Sequence, residues 1–226
     1  GVAYSQLVRK GAPVIAGAFV TSIDMNSGAP TFGTPEASLI TYGAGQLVRR
    51  LGVPYRSAGG FTGSKIPDAH AAYESANSLN MGLLAGVNFM LLACGWLEGG
   101  LVASFDKFVM DADQLGILHH LAKGVDMSEN GQAMSAIREV NASTHYLGTE
   151  HTQANFKSAF WRTDLLDYKP FETWEDEGSR DTVQLARERV TKLLNDYQKP
   201  PIDPAIEEAL KEYVAKKKAS MPDAFM

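Results

Sequence analysis

Gly59-Gly60-Phe61-Thr62-Gly63-Ser64-Lys65-Ile66-Pro67-Asp68 joins a short apolar run, Val53 to Ala58, to a long helical pattern that begins at Pro67. Three glycines give the backbone access to positive φ or to close approach by a bound group. Pro67 and Asp68 suit the first turn of a helix and its positive dipole end. The stretch reads as strand, glycine-rich loop, helix. Ligands of α/β proteins bind at the carboxyl ends of strands, so this loop, with its single Lys65, is the first place to seek a site. A tight connection whose glycines serve geometry alone is the competing reading. What weighs between them is that the chain repeats the arrangement.

Upstream, Val2, Leu7 and Val8 give a helical apolar face that stops at Gly11. Pro13 to Phe19 is short, apolar and partly β-branched, as expected of a parallel strand buried on both faces. It opens into a long loop, Thr21 to Thr34. Thr34-Pro35-Glu36 then supplies a cap, a proline and an early acid, starting a helix that runs to Leu51-Gly52 with Arg49 and Arg50 in its last turn. Downstream, a helix is expected from Pro67 to Gly86 and a third strand from Asn88 to Cys94. A second glycine-rich loop follows, Gly95 to Gly100, and then an amphipathic helix from about Phe105 to Ala122.

Strand, loop and helix recurring at roughly 35–40 residues is the signature of βαβ crossovers in a parallel sheet. No G-x-G-x-x-G opens a helix and there is no Walker A sequence, so a barrel is favoured over a dinucleotide fold. Ser128 to Val140 reads as one more helix, and His145-Tyr146-Leu147-Gly148 as a short strand or turn. From residue 156 the character changes, with aromatics amid acids, a charged helix over Thr182 to Tyr197, a Pro200-Pro201 break, and a final helix from Asp203-Pro204 to solvated Lys216-Lys217-Lys218.

The expected fold is α/β: the C-terminal half of a TIM-type (β/α)8 barrel over residues 1–155, with a C-terminal helical extension over 156–226. A full barrel takes eight strands and about 250 residues. The opening Gly1, and a helix already under way at Val2, lead us to expect a piece of a longer polypeptide. A second copy completing the barrel is the alternative.

Composition narrows the function. At 226 residues with 45% hydrophobic and 21% charged residues, the chain has the make-up of an ordinary globular protein with a packed core. A net charge of −5 and no basic block argue against nucleic acid and anionic membrane as partners. Cys94 is the single cysteine, which excludes an internal disulfide and fits a reducing, cytoplasmic setting. The most apolar run, Met81 to Trp96, is too short for a membrane span.

Several strings are distinctive together: Gly11-Ala12-Pro13-Val14-Ile15, the loop from Asp24 to Glu36, Lys65-x-Pro67-Asp68-Ala69, Tyr73-Glu74-Ser75, Ala85 to Phe89, Gly95 to Leu101, Ile137 to Val140, and His145-Tyr146-Leu147-Gly148-x-x-His151-Thr152. They resemble the carboxyl-terminal part of the trimethylamine methyltransferase superfamily. The resemblance implies a TIM-type barrel that moves a methyl group from a tertiary or quaternary amine to the cobalt of a corrinoid carried by a partner protein, with no cofactor bound directly. Some members carry pyrrolysine. This sequence has standard residues only, as do members that act on quaternary amines such as glycine betaine, and Lys65 is a candidate for that position by residue type alone.

A quaternary ammonium offers no hydrogen-bond donor. It is held by aromatic faces, by carboxylates at a distance and by shape, each ring contributing roughly 0.5–2 kcal/mol. Phe32, Phe61, Trp96 and Tyr146 on the expected strand-end loops, with Asp24, Glu98 and Glu150, are the inventory for such a cage. Lys65 and Glu98 are the candidate catalytic residues, and Phe61, Trp96, Tyr146, His145, His151 and Asp24 the candidate substrate-binding ones. Lys65, His145, His151 and the N–H groups at the Pro67 helix start are the candidate partners of a betaine carboxylate. Each of these aromatics and histidines alone more often serves packing or a backbone hydrogen bond.

Two other readings compete. A metal centre could draw on His145, Glu150 and His151, or on His119 and His120; adjacent helical histidines point to different sides, and the first set lacks compact ligand spacing. A non-catalytic module binding small cationic osmolytes is the other. A homo-oligomer is expected for the methyltransferase, and Cys94 reads as a buried structural thiol.

Overall fold

The computed structural model describes residues 1–221, so residues 222–226 of the expected extension lie outside the described residues. By its contacts the chain divides into two compact units, Gly1–Thr191 and Lys192–Met226.

The first unit opens with helix α1 (Val2–Val8), then strand β1 (Ala16–Ala18). The loop expected from Thr21 to Thr34 contains a small antiparallel hairpin, β2 (Ser22–Ile23) and β3 (Pro30–Thr31), tied by the Ser22 and Thr31 hydroxyls at 2.6 Å. Helix α2 (Pro35–Leu51) starts at its proline, as the sequence predicts, and ends at Gly52, whose φ of 66° lets its N–H turn back to the Val48 and Arg49 carbonyls.

Strand β4 (Tyr55–Ala58) runs into the glycine-rich loop, and helix α3 (Ala69–Leu84) follows. Pro67 stands just before this helix rather than in its first turn. Asp68 is the cap, its carboxylate accepting from the Ala71 N–H at 3.0 Å and the Ser64 hydroxyl at 2.9 Å. Those bonds favour the ionised form and hold its pKa below the usual carboxylate range.

Strand β5 (Phe89–Leu91) is shorter than the apolar run that predicts it, because the chain leaves the sheet at Leu92, a non-glycine residue at φ 54°. A second hairpin lies in the next loop, β6 (Trp96–Leu97) and β7 (Val102–Ala103) around a short turn at Glu98–Gly100. Helix α4 (Phe105–Ala122) has the bounds its periodicity predicts, with Ser104 as its cap.

Strands β1, β4 and β5 form one parallel sheet in that order, with Gly17, Arg56 and Phe89 in one row across it. Burial alternates along β4. Tyr55, 2% exposed, packs with Val48 of α2 and Ala85 at the end of α3, and its hydroxyl donates to the Thr41 carbonyl at 3.2 Å. Arg56 points to the opposite face, over Gly17, while Phe89 in the same row is exposed. One face of the sheet is thus covered by α2 and α3, and among the described residues β1 and β5 each keep an unpaired outer edge. Leu79 of α3 is fully buried, which contributes about 2 kcal/mol.

Past α4 the expected single helix over Ser128–Val140 is two pieces, α5 (Glu129–Gln132) and α6 (Met134–Glu139), broken where Ala133 takes left-handed φ of 50°. His145-Tyr146-Leu147-Gly148 is a 3-10 turn over Tyr146–Gly148, not a strand, so the parallel sheet has three strands among the described residues. Helices α7 (Glu150–Asn155), α8 (Phe171–Asp176) and α9 (Thr182–Asn195) follow. Trp161 packs against Gly116 of α4, and the Thr163 hydroxyl donates to Asp113 of the same helix at 2.7 Å. In the second unit, α10 (Pro204–Ala219) is capped by Asp203, and Glu207 pairs with Lys199 and Lys211.

Helices α2 and α3 meet where Gly45 has no side chain: a Cβ there would lie 2.5 Å from the Ala85 carbonyl oxygen. Gly45→Ala is expected to lower stability by about 1–3 kcal/mol, measured by denaturant unfolding. An unchanged midpoint would mean that this crossing relaxes freely.

Candidate functional site

The carboxyl ends of β1, β4 and β5 bring four rings together. Phe61, just beyond β4, is the centre, its ring centroid 5.3 Å from those of Phe19 and Phe32 and 5.8 Å from that of Trp96, all stacked within 29° of parallel. Phe32 and Phe61 are buried, while Phe19 is 49% exposed. Ring pairs of this kind are worth roughly 0.5–1.5 kcal/mol beyond their buried area.

Backbone bonds stitch the loops that carry these rings. Gly59 and Gly60 donate to the Leu91 and Leu92 carbonyls at 2.9 and 3.1 Å, continuing the ladder past the strand ends. Glu98 and Gly99 donate to the Ser64 and Thr62 carbonyls at 2.8 and 2.7 Å. Gly60 is required at its position, since a Cβ would stand 2.2 Å from the Ala93 carbonyl oxygen. Glu74 of α3 accepts from both the Thr62 hydroxyl and the Gly63 N–H at 2.6 Å, pairs with His70 at 3.2 Å, and lies against Gly33 of the first loop.

Beneath the loops lies a buried ion pair from one face of α4, Lys107 and Asp111, at 2.5 Å and with 1% and 4% exposure. The Lys107 ammonium also donates to the Gly60 carbonyl at 3.1 Å and the Ser75 hydroxyl at 2.8 Å, which uses all three of its protons. Asp111 accepts from the Gly95 N–H at 2.8 Å. Burial pushes the Asp111 carboxyl up, against the pull of Lys107 and these hydrogen bonds. This pair was not singled out from sequence. The i, i+4 spacing of a lysine and an acid is legible there, but it is usually a solvated pair on a helix surface.

Trp96 also lines a cavity of about 490 Å³ with Leu92, Cys94, Gly95, Phe105 and Phe108. Phe105 and Phe108, at the start of α4, are half or more exposed and add two rings that sequence reasoning assigned to an amphipathic helix. Beside Phe19, Phe32 and Phe61 only about 40 Å³ is free, room for little more than water. Burial, and then the Asp111 charge, push the Cys94 thiol up to about 11.

The other sequence-predicted residues are distributed as follows. Glu98 joins the stitched loops through its N–H and is exposed, at φ 47°. Lys65 is exposed at the tip of its loop, its ammonium donating to the Gly63 carbonyl at 2.8 Å. Asp24 folds its own turn, accepting from the Ser27 hydroxyl at 2.5 Å and the Asn26 N–H at 3.1 Å; these bonds lower its pKa. His145, Tyr146 and Glu150 are exposed, and His151 bonds through Nε2 to the Asn130 carbonyl at 2.8 Å. The side-chain bonds of the 145–151 segment run within itself and to residues including Thr152, Gln153 and Asn130, and among the described residues none reaches a residue of the ring cluster. Arg56, on the open face of the sheet, forms no ion pair among the described residues and was not singled out from sequence. Among the described residues there is no group of three or more His, Cys, Asp and Glu side chains suited to a metal ion, and no helix long and apolar enough to cross a membrane.

A family model described as trimethylamine methyltransferase matches residues 1–222. The chain belongs to that family. Among curated relatives of this methyltransferase family, the chain is 37% identical over 217 residues to a glycine betaine methyltransferase of Desulfitobacterium hafniense (strain Y51), covering 96% of this chain and 45% of the relative. It is 29% identical over 213 residues to trimethylamine methyltransferase MttB of D. hafniense (strain DSM 10664 / DCB-2), covering 94% and 42%. With trimethylamine methyltransferase MttB2 of Methanosarcina mazei it shares 30% identity over 205 residues, covering 90% and 41%. The chain spans less than half the length of these relatives.

Lys107→Met would leave the Asp111 carboxylate buried without its partner, at an expected cost of about 3–5 kcal/mol. Asp111 then takes up its proton more readily folded than unfolded. The variant's stability should therefore be greatest at acidic pH and fall as pH rises through the raised Asp111 pKa, which unfolding curves across pH would record.

Cys94 should resist alkylation at pH 8. Its raised pKa leaves on the order of a hundredfold less thiolate than an unperturbed thiol. Mass spectrometry of iodoacetamide-treated native and unfolded protein checks this, and equal labelling rates would count against it.

Proposed function

We propose that the protein is part of a methyltransferase that takes a methyl group from a small quaternary or tertiary amine of the glycine betaine or trimethylamine class and gives it to the Co(I) of a corrinoid held by a partner protein. The observation that carries this reading is the convergence of Phe61, Trp96 and their neighbouring rings at the carboxyl ends of three parallel strands, beside a cavity lined further by Phe105 and Phe108. Aromatic faces suit a quaternary ammonium ion, which has neither an N–H to donate nor a lone pair to accept a hydrogen bond. The relative named for glycine betaine, at 37% identity, supports a quaternary ammonium substrate.

For a quaternary ammonium the reaction balances without acid–base catalysis, and a tertiary amine reacts as its protonated ammonium ion so that a neutral secondary amine leaves. The C–N bond breaks with its electron pair kept by nitrogen, the methyl group is taken by the Co(I) nucleophile, and the amine leaves with one positive charge fewer. Because that charge fades in the transition state, orientation and desolvation by the ring walls matter more than tight grip on the cation. Cys94, held as a neutral thiol, is a poor methyl acceptor in place of the corrinoid. Lys65 and Arg56 are the cations this reading offers to a betaine carboxylate, with His145 and His151 as further candidates; Glu98, Asp24 and Tyr146 are candidates for the ammonium end.

The unpaired edges of β1 and β5 and the row of Gly17, Arg56 and Phe89 support a half-barrel completed by further polypeptide or by a second copy. Residues 1–226 alone are accordingly expected to transfer no methyl group.

The test is spectroscopic. Full-length protein, Co(I) corrinoid protein and either glycine betaine or trimethylamine should give the absorbance change of cobalt methylation. Binding of either amine in the calorimeter without that change would favour a non-catalytic module. Trp96→Ala is expected to weaken amine binding roughly 2- to 30-fold, the range of one cation–π contact; unaltered binding would remove Trp96 from the site.

A further inference from the structure

The residues immediately before the two central rings share one anchor. Gly60, which precedes Phe61, gives its carbonyl to the Lys107 ammonium, and Gly95, which precedes Trp96, gives its N–H to the Asp111 carboxylate. Lys107 and Asp111 are paired to each other one helical turn apart on α4, the helix that also presents Phe105 and Phe108 to the cavity beside Trp96. Ser75 of α3 completes the set through its hydroxyl, bonded to Lys107 at 2.8 Å.

We propose that Lys107 and Asp111 are positioning residues for the amine site, a charge-paired clamp that sets the spacing between Phe61 and Trp96 and holds both against the start of α4.

The proposal rests on the ring site being the amine site. An ion pair suits this task better than an apolar contact because it is directional. The ammonium addresses a carbonyl on one loop, the carboxylate addresses an N–H on the other, and neither loop can shift without leaving a buried charge short of a partner. Among the described residues the other side-chain donor to the Gly60 carbonyl is the Ser75 hydroxyl, at 3.4 Å against 3.1 Å for Lys107. Packing alone would hold the helix to the sheet, yet it would not select one separation between the two rings. The clamp acts through Phe61 and Trp96 rather than on the amine itself.

The experiment uses the full-length protein, with glycine betaine and trimethylamine as probes in calorimetry. Lys107→Met/Asp111→Leu removes both charges together, an exchange that buried pairs often tolerate without loss of stability. The emission of Trp96 is taken as the difference between each protein and its Trp96→Phe counterpart. The expected result is a folded double variant with near-native melting temperature, altered Trp96 emission and amine affinity reduced at least about tenfold. A folded double variant with native emission and native affinity overturns the proposal while leaving the ring site intact.

Should that variant fail to fold, Ser75→Ala decides. It withdraws one partner of Lys107 while leaving the ion pair itself, and is expected to weaken amine binding severalfold in a folded protein whose melting temperature falls only modestly. Unchanged binding then overturns the clamp. A wild-type protein that binds neither amine overturns the ring-site reading and the clamp with it.

Discussion

The Lys107–Asp111 pair is the constraint on which the rest of the first unit depends. Two charges at 1% and 4% exposure are tolerated only because each is saturated, the ammonium by Asp111, Ser75 and the Gly60 carbonyl, the carboxylate by Lys107 and the Gly95 N–H. Removing water from such a pair costs several kcal/mol per ion before its attraction is counted. A fold that retains it gains definition of geometry in exchange. Here that geometry joins α3, α4 and the loops after β4 and β5, the four elements around Phe61 and Trp96.

The same logic recurs at Glu74. One carboxylate on α3 gathers the Thr62 hydroxyl, the Gly63 N–H and the His70 ring, while its own backbone rests where Gly33 leaves room. The long first loop, the glycine-rich loop and α3 are thereby fixed to one another by a single residue. Structural polar groups placed directly under binding loops hold those loops more narrowly than apolar contacts can, since hydrogen bonds weaken steeply with distance and angle.

How much of this was legible in the sequence follows from the range over which each signal acts. Helices α2 and α4 announce themselves through local chemistry, the Thr34-Pro35-Glu36 start, Gly52 and Ser104, and their bounds match. The two hairpins at residues 22–31 and 96–103 escaped notice, because strands of two residues carry no periodicity. The break at Ala133 was hidden too, since alanine gives no hint of a left-handed turn. Phe61 and Trp96 were readable as a pair only because both follow strands in a repeated unit. What made them neighbours, the bonds from Lys107 and Asp111 to Gly60 and Gly95, spans 47 and 16 residues and has no local mark. Arg56 was lost within a strand for the converse reason: its significance is that its row of the sheet lies uncovered, which is a property of the assembled sheet rather than of the run Tyr55–Ala58.

The cross-loop bonds from Glu98 to Ser64 and from Gly99 to Thr62 have a mechanical meaning. Peptide groups fastened to each other in this manner move together, so the loops that carry Phe61 and Trp96 share one rigid backing, and any substitution that shifts one of these loops is transmitted to the other.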